Sequence, residues 1–153
     1  MKTKNWLWLL VAVFGWSFYA CSDSENDKMN SGIVNVENVT HSLCKKETSR
    51  ALYRETVTYK VKGGKLHVEL CNFEINCGSK GADVKVKLNE ETNEIILTPY
   101  DLGPQMANCT CPIDVSATIT GLKYGKTYQC TIERMGISFS FICRNGVKGT
   151  VEP

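Results

Sequence analysis

The chain has 153 residues, of which 42% are apolar and 22% are charged, and its formal net charge is +2. This length and balance predict one globular domain. Residues 1–20 hold all three tryptophans and two lysines but no acidic residue, so the remainder carries 16 basic and 16 acidic side chains. Because nucleic-acid binding needs an excess of clustered Lys and Arg, this neutral remainder argues against a nucleic-acid partner.

The N-terminus has the layout of an export signal. Lys2 and Lys4 precede an apolar run over residues 6–20, and an acidic stretch follows Cys21. A membrane-spanning helix needs about 20 apolar residues, so this run is too short to span a bilayer and is typical of a signal peptide. Ordinary cleavage before Cys21 would place Phe18 where small residues are required, which favours another route of processing.

The segment Phe18-Tyr19-Ala20-Cys21 resembles a bacterial lipobox. The resemblance implies that Cys21 is acylated and becomes the N-terminus of the mature chain. The acidic residues after Cys21 also resemble the surface-export signal of Bacteroidetes lipoproteins, although a solvated acidic tail would have the same composition. We therefore expect an exported outer-membrane lipoprotein, exposed at the cell surface and attached to the membrane by an N-terminal lipid anchor.

From residue 33 onward the side chains alternate between apolar and polar, and no window shows the 3.6-residue period of an amphipathic helix. The pattern predicts an all-β domain over residues 33–153, preceded by a signal peptide over 1–20 and a flexible acidic tether over 21–32. Seven strands are predicted, at residues 51–61, 65–75, 82–88, 94–98, 113–120, 127–134 and 137–143. Residues 33–40 are an eighth candidate, at a sheet edge. Within the second strand the apolar residues change from even-numbered to odd-numbered positions, which predicts a β-bulge near residues 70–71.

A short motif indicates how the strands are arranged. Leu122 lies six residues before Tyr128, which lies two residues before Cys130. This spacing resembles the turn into the sixth strand of fibronectin type III and immunoglobulin-like domains. The resemblance implies an antiparallel β-sandwich of seven or eight strands and a tyrosine corner, in which the Tyr128 phenol bonds to upstream backbone. An ordinary buried tyrosine would also fit the pattern. Residues 107–122 are also similar to small secreted Bacteroidetes proteins of unassigned function.

Seven cysteines follow Cys21, at positions 44, 71, 77, 109, 111, 130 and 143. Exported chains with this density are usually disulfide-bonded, and an odd number leaves at least one thiol free. A zinc site formed by Cys71, Cys77, Cys109, Cys111 and a histidine is an alternative, as is a redox-active pair at positions 109 and 111. Zinc sites usually have two to four residues between paired cysteines, and redox-active pairs have two. Here five residues separate Cys71 from Cys77 and one separates Cys109 from Cys111, so we expect no metal and no cofactor.

The resemblance also predicts disulfide pairing. In such a sandwich the loops after strands two, four and six meet at one end, which places residues 76–81, 99–112 and 134–136 together. We therefore expect a disulfide between Cys77 and either Cys109 or Cys111. The bridge between strands two and six of immunoglobulin domains implies a second pair, Cys71 with Cys130.

Function is the least determined property. His41 and His67 lie outside any recognisable catalytic motif, so enzymatic activity is not expected. Long loops on a rigid scaffold often carry recognition, which makes the loop over residues 99–112 the predicted binding surface. Its candidate contact residues are Tyr100, Asp101, Gln105, Met106 and Asn108. The same loop would equally serve as a connection fixed by its cysteines.

The sequence thus predicts a lipid-anchored binding or adhesion module, or an accessory subunit of a surface complex. The expected partners are the membrane and either envelope proteins or glycans. A structural envelope subunit without a ligand remains an alternative, as does a thiol- or metal-dependent enzyme.

Overall fold

The computed structural model describes residues 34–45, 53–104 and 106–153. Within these ranges the chain forms nine strands and one short 3₁₀ helix, Glu133–Met135. The strands are β1 (Asn35–His41), β2 (Thr56–Lys62), β3 (Lys65–Asn76), β4 (Ala82–Asn89), β5 (Glu94–Asp101), β6 (Thr110–Thr120), β7 (Thr127–Ile132), β8 (Ile137–Ile142) and β9 (Lys148–Val151). No helix in the described ranges is long and apolar enough to span a membrane. Cys21, the signal peptide and the tether lie outside those ranges.

The strands form two sheets packed as a sandwich, which confirms the predicted fold class. The five-stranded sheet has the order β1-β6-β3-β2-β9, and the four-stranded sheet has the order β4-β5-β7-β8. The described ranges contain nine strands rather than seven or eight. β1 corresponds to the eighth candidate, residues 33–40, and lies at a sheet edge as expected, whereas β9 is an additional strand at the opposite edge. One pair, β5 with β7, is parallel rather than antiparallel. The chain passes through β6 in the other sheet between them, and this long connection permits parallel pairing.

The core lies between the two sheets, and every second residue of a strand contributes its side chain to it. In β2, Val57 and Val61 are fully buried, and in β8 the inward side chains are Ile137, Phe139 and Phe141. The ring of Tyr59 in β2 stacks on that of Phe139, with centroids 4.3 Å apart, and so joins the two sheets directly.

A β-bulge lies in β3 next to the predicted position. The register with β6 shifts between Leu70 and Phe73, and Asn72 has a left-handed φ of 60°. Leu70 and Phe73 are both buried, so the extra backbone residue keeps the apolar side chains of each half facing the core. Cys71 is half-buried and does not join that core.

Two loop boundaries differ from the prediction. β5 continues to Asp101 and β6 begins at Thr110, so the expected loop over 99–112 shortens to 102–109. Pro99 and Pro112 were expected to break the strands. Each proline lies where its strand is paired with another strand on one side only. The β5–β7 ladder stops at Leu97 and the β1–β6 ladder stops at Val115, so neither ladder reaches the proline. A proline is tolerated there because only one ladder is present.

The tyrosine corner implied by the resemblance is formed. Tyr128 is 2% exposed, and its phenolic oxygen accepts a hydrogen bond of 2.9 Å from the backbone N–H of Lys123. Leu122 is buried beside it. The corner therefore fixes the crossing from β6 in one sheet to β7 in the other.

Replacing Tyr128 by phenylalanine is expected to lower the free energy of unfolding by about 1 kcal/mol, because it leaves the Lys123 N–H without its acceptor. Urea unfolding followed by circular dichroism measures this change. Tyr124→Phe is the matched control, since Tyr124 is 64% exposed and should leave the unfolding midpoint in place. Equal midpoints for the two variants would show that the corner bond adds no stability.

Candidate binding cavity

The three loops expected to meet at one end do meet there, around the carboxylate of Asp101. This carboxylate accepts hydrogen bonds from the Asn76 backbone N–H at 2.7 Å and the Ser79 hydroxyl at 3.2 Å. It also pairs with Arg134 at 2.5 Å, and its side chain is 2% exposed. Burial acts to raise the pKa of Asp101, but the hydrogen bonds from Arg134 and Asn76 outweigh burial and hold the pKa below its usual value. Asp101 thus links the loops and is not an open contact residue.

Tyr100 is also engaged within the domain. Its phenol donates a 2.9 Å hydrogen bond to Asp83, and the Lys85 ammonium lies 4.8 Å from the centre of its ring. The hydrogen bond to Asp83 raises the pKa of Tyr100, with smaller contributions from burial and from the charge on Asp83. Two of the five predicted contact residues therefore serve the fold.

The remaining predicted contact residues are less constrained. Met106 is 86% exposed and Asn108 is exposed, whereas Gln105 lies outside the described residues. The loop is held from beneath by Asn76, whose amide donates to the carbonyl of Ala107 at 2.6 Å and accepts from the Ala107 N–H at 3.2 Å. Asn76 was not among the predicted contact residues.

Two disulfides tie the same end of the sandwich. Cys77 is bonded to Cys109, which is one of the two expected pairings, and Cys44 is bonded to Cys111, which was not predicted. Both bridges join Cα atoms 5.6 Å apart. They take up three of the four cysteines of the alternative zinc site. They also exclude a redox pair between positions 109 and 111.

The expected pair between Cys71 and Cys130 is not formed. Both residues are free thiols, as is Cys143. The bulge places Cys71 out of the core, whereas Cys130 is fully buried in it. Burial raises the pKa of all three thiols, to about 12 for Cys130. High thiol pKa values give little thiolate at neutral pH, so these groups are poor nucleophiles.

Both histidines make structural contacts. The His41 ring lies against Gly81, where an added Cβ atom would approach its Nε2 atom to 2.1 Å. The His67 Nδ1 atom lies 3.0 Å from the Thr118 hydroxyl. No cluster of three or more metal-ligating side chains is present in the part of the chain that the structure describes.

A cavity of about 300 Å³ opens on the outer face of the five-stranded sheet, where the chain enters β2 beside the bulge of β3. In β3 and β6 the cavity-lining residues lie next to residues that face the core. Because side chains alternate along a strand, the lining side chains of these two strands point outward. The lining residues are Lys45, Tyr53, Glu55, Asn72, Glu74, Thr110 and Pro112. We refer to this feature as the outer-face cavity.

Lys45 is the only cationic residue among the described residues that line this cavity, and it is held by internal partners. Its ammonium donates to Asp114 and to the Asn72 side chain, each at 2.6 Å. It also lies 5.7 Å from the centre of the Tyr53 ring. The Cys44–Cys111 disulfide and a backbone hydrogen bond from Lys45 to Pro112 hold this segment against β6. The positive charge of Lys45 is therefore already balanced by the Asp114 carboxylate before any ligand binds.

Two glutamates supply the remaining charge of the outer-face cavity. Burial raises the pKa of Glu55, and the charge on Glu74 raises it further, while the charge on Arg134 acts in the opposite direction. Glu74 accepts a hydrogen bond of 3.3 Å from the Thr110 hydroxyl. A cation bound beside the two carboxylates would offset the energetic cost of burying the Glu55 charge and would also reduce its repulsion from Glu74.

This cavity was not predicted from the sequence. Its walls come from four separate segments, and none of the lining residues belongs to a recognisable motif. The chain matches no model of a known protein family, no curated protein and no solved structure. The geometry of the cavity and of the loop end is therefore the basis for a functional assignment.

Proposed function

We propose that this chain is an exported, lipid-anchored module of the bacterial envelope, and that it binds a cationic ligand in the outer-face cavity. The export signal, the lipobox-like segment ending at Cys21 and the acidic residues after it support the location. The two disulfides agree with it, because disulfides persist mainly in oxidising compartments.

One observation carries the binding proposal: Glu55 and Glu74 line a single cavity, and Lys45, the one cation among the described lining residues, is already paired with Asp114. The cavity volume is at the lower end of the range for small-ligand sites, which fits one side chain or head group. An ammonium or guanidinium group complements two carboxylates. The ligand we propose is therefore a lysine or arginine side chain of an envelope protein or peptide.

The loop end supports a binding role less well. Its central carboxylate, Asp101, is buried and already has three hydrogen-bond donors, and the Tyr100 phenol is bonded to Asp83. Met106 and Asn108 remain exposed there and would supply secondary contacts at most. We assign no catalytic step to the protein.

Nuclear magnetic resonance titration with N-acetyl-lysine amide tests the proposal. We expect the largest shift changes at Glu55 and Glu74, and none with N-acetyl-norleucine amide, which has the same four-carbon chain but lacks the terminal ammonium group. Replacing both glutamates by glutamine should weaken binding at least about tenfold, because two charge-assisted contacts are lost. Glu91→Gln, on an exposed turn, is the matched control and should bind normally. Equal binding of the two amides would remove the proposed role of charge.

Binding should also depend on pH. The raised pKa of Glu55 means that this carboxyl takes up a proton at a higher pH than an exposed glutamate does, and the protonated form no longer attracts a cation. We expect the affinity for N-acetyl-lysine amide to fall as the pH is lowered from about 7 to about 4. In the Glu55→Gln variant the fall should be smaller, because the carboxyl group with the raised pKa is gone. An identical pH profile in both proteins would contradict a role for Glu55.

A further inference from the structure

The outward edge of β8 differs from the other sheet edges in the described part of the chain. Exposed edge strands invite pairing with other chains, and proteins usually block them with charges, bulges or short strands. β1 has a register shift and the left-handed residue Asn38, and β9 is four residues long. β4 presents Lys85 and Lys87. The sequence of β8, Ile-Ser-Phe-Ser-Phe-Ile, has neither charge nor proline, and its ladder with β7 is regular.

The free backbone groups of β8 can be identified. The backbone N–H of Cys143 donates to Lys126 and the carbonyl of Cys143 accepts from Gly125, so residue 143 faces the β7 side. Backbone groups alternate in direction along a strand, which turns those of Ser138, Ser140 and Ile142 away from β7. The Ile142 carbonyl accepts from Arg144. Among the described residues, the other outward groups of the strand have no backbone partner.

We propose that β8 pairs antiparallel with β8 of a second copy of this chain, about a twofold axis at Ser140. This register places Ser140 opposite Ser140 of the second copy, and Ser138 opposite Ile142. Phe139 then lies beside Phe141 of the second copy on the core-facing side, so both apolar rows stay on the same face. The absence of charge favours a second copy, because identical strands bring identical side chains together and any charge would repel itself.

The proposed contact is small. A six-residue strand pair buries less than the roughly 1,200 Å² of a standard stable interface, so the dimer should be weak and reversible in solution. A twofold contact uses the same patch on both copies and closes after two subunits. The proposal does not depend on the outer-face cavity, which lies on the other sheet.

Cysteine trapping in cells tests this register with the full chain. Opposed residues of an antiparallel pair have Cα atoms about 5.5 Å or 4.5 Å apart, within the range that a disulfide spans. We expect Ser140→Cys to give a disulfide-linked dimer on a non-reducing gel, while the unaltered chain and Ser116→Cys stay monomeric. Ser116 is the matched control, since it lies on the outer face of the other sheet. A monomeric Ser140→Cys chain, equal trapping by Ser116→Cys, or a bridge from residue 140 to a different protein would each overturn the proposal.

Sedimentation of the full chain in detergent gives a second measurement. Ser140→Pro removes an N–H that points away from β7, so it breaks no ladder bond of the fold but does break the proposed dimer contact. We expect its dimer dissociation constant to rise at least tenfold, with the circular dichroism spectrum unchanged. A dissociation constant equal to that of the unaltered chain would contradict pairing through β8. If the circular dichroism spectrum of Ser140→Pro is changed, Ser140→Lys replaces it in the test, since it places like charges opposite each other in the dimer.

Discussion

Replacing Cys44 and Cys111 by serine is expected to lower the free energy of unfolding by about 4 kcal/mol. The bridge joins residues separated by 67 positions, and closing so long a loop removes much of the conformational entropy of the unfolded chain. A loss of this size corresponds to a melting temperature lower by about 15 °C in a domain of this length. Urea unfolding and thermal melts under non-reducing conditions measure both quantities.

The control for this change is Cys71→Ser, which removes a half-buried free thiol and should alter stability by less than about 1 kcal/mol. The double variant should also bind N-acetyl-lysine amide less well, because the bridge holds the Lys45 segment at the wall of the cavity. If the double variant unfolded at the same urea concentration as the native chain, the Cys44–Cys111 bridge would have no part in the fold. Cys77→Ser with Cys109→Ser should behave similarly, with a slightly smaller loss because the separation is 32 residues.

Asp101→Ala is the single substitution with the largest expected effect, a loss of about 3 kcal/mol. It removes the acceptor for Arg134, Asn76 and Ser79 at once and leaves the Asn76 N–H without a partner. Chemical unfolding at neutral pH measures the loss. Asp83→Ala is the control, and its effect should be less than half as large. Asp83 lies on the edge strand β4, and its side chain accepts hydrogen bonds from the Tyr100 phenol and from the adjacent Val84 N–H. Similar losses in the two variants would contradict a central role for Asp101.

The same residue should make stability depend on pH. The folded-state pKa of Asp101 is lowered, so its contribution is complete above the usual aspartate pKa of 3.8 and is lost as the pH falls through the lower folded-state value. The native chain should therefore lose stability below about pH 4, and Asp101→Asn should show a smaller loss over the same interval. Parallel pH profiles for the two proteins would assign acid sensitivity to other carboxyl groups.

Much of the fold could be predicted because alternation of apolar and polar residues is a local signal. The strands from residue 56 to residue 142 and the bulge in β3 follow from such patterns, whereas the meeting of the three loops was implied by the resemblance to immunoglobulin-like sandwiches. β9 was missed because Lys148–Val151 has only one apolar side chain and depends on pairing with β2. The parallel contact of β5 with β7 was missed because strand order depends on packing between distant segments.

The candidate site could be predicted only in part. Asp101 was predicted to be a contact residue of the loop, but its partners lie 22 to 33 positions away in sequence and give no local signal. Pairing Cys71 with Cys130 required Cys71 to face the core, and the bulge prevents this. The outer-face cavity brings Lys45, Glu55 and Glu74 together from three segments. Such a site is determined by tertiary structure and not by residue spacing.

A crystal structure of the protein soaked with N-acetyl-arginine amide tests the central proposal most directly. We expect the guanidinium group inside the outer-face cavity, within about 4 Å of the carboxylates of both Glu55 and Glu74. The Lys45–Asp114 pair should stay intact beside it. A cavity that remains empty while the ligand occupies the loop over residues 102–109, or binds nowhere on the protein, would contradict the proposal.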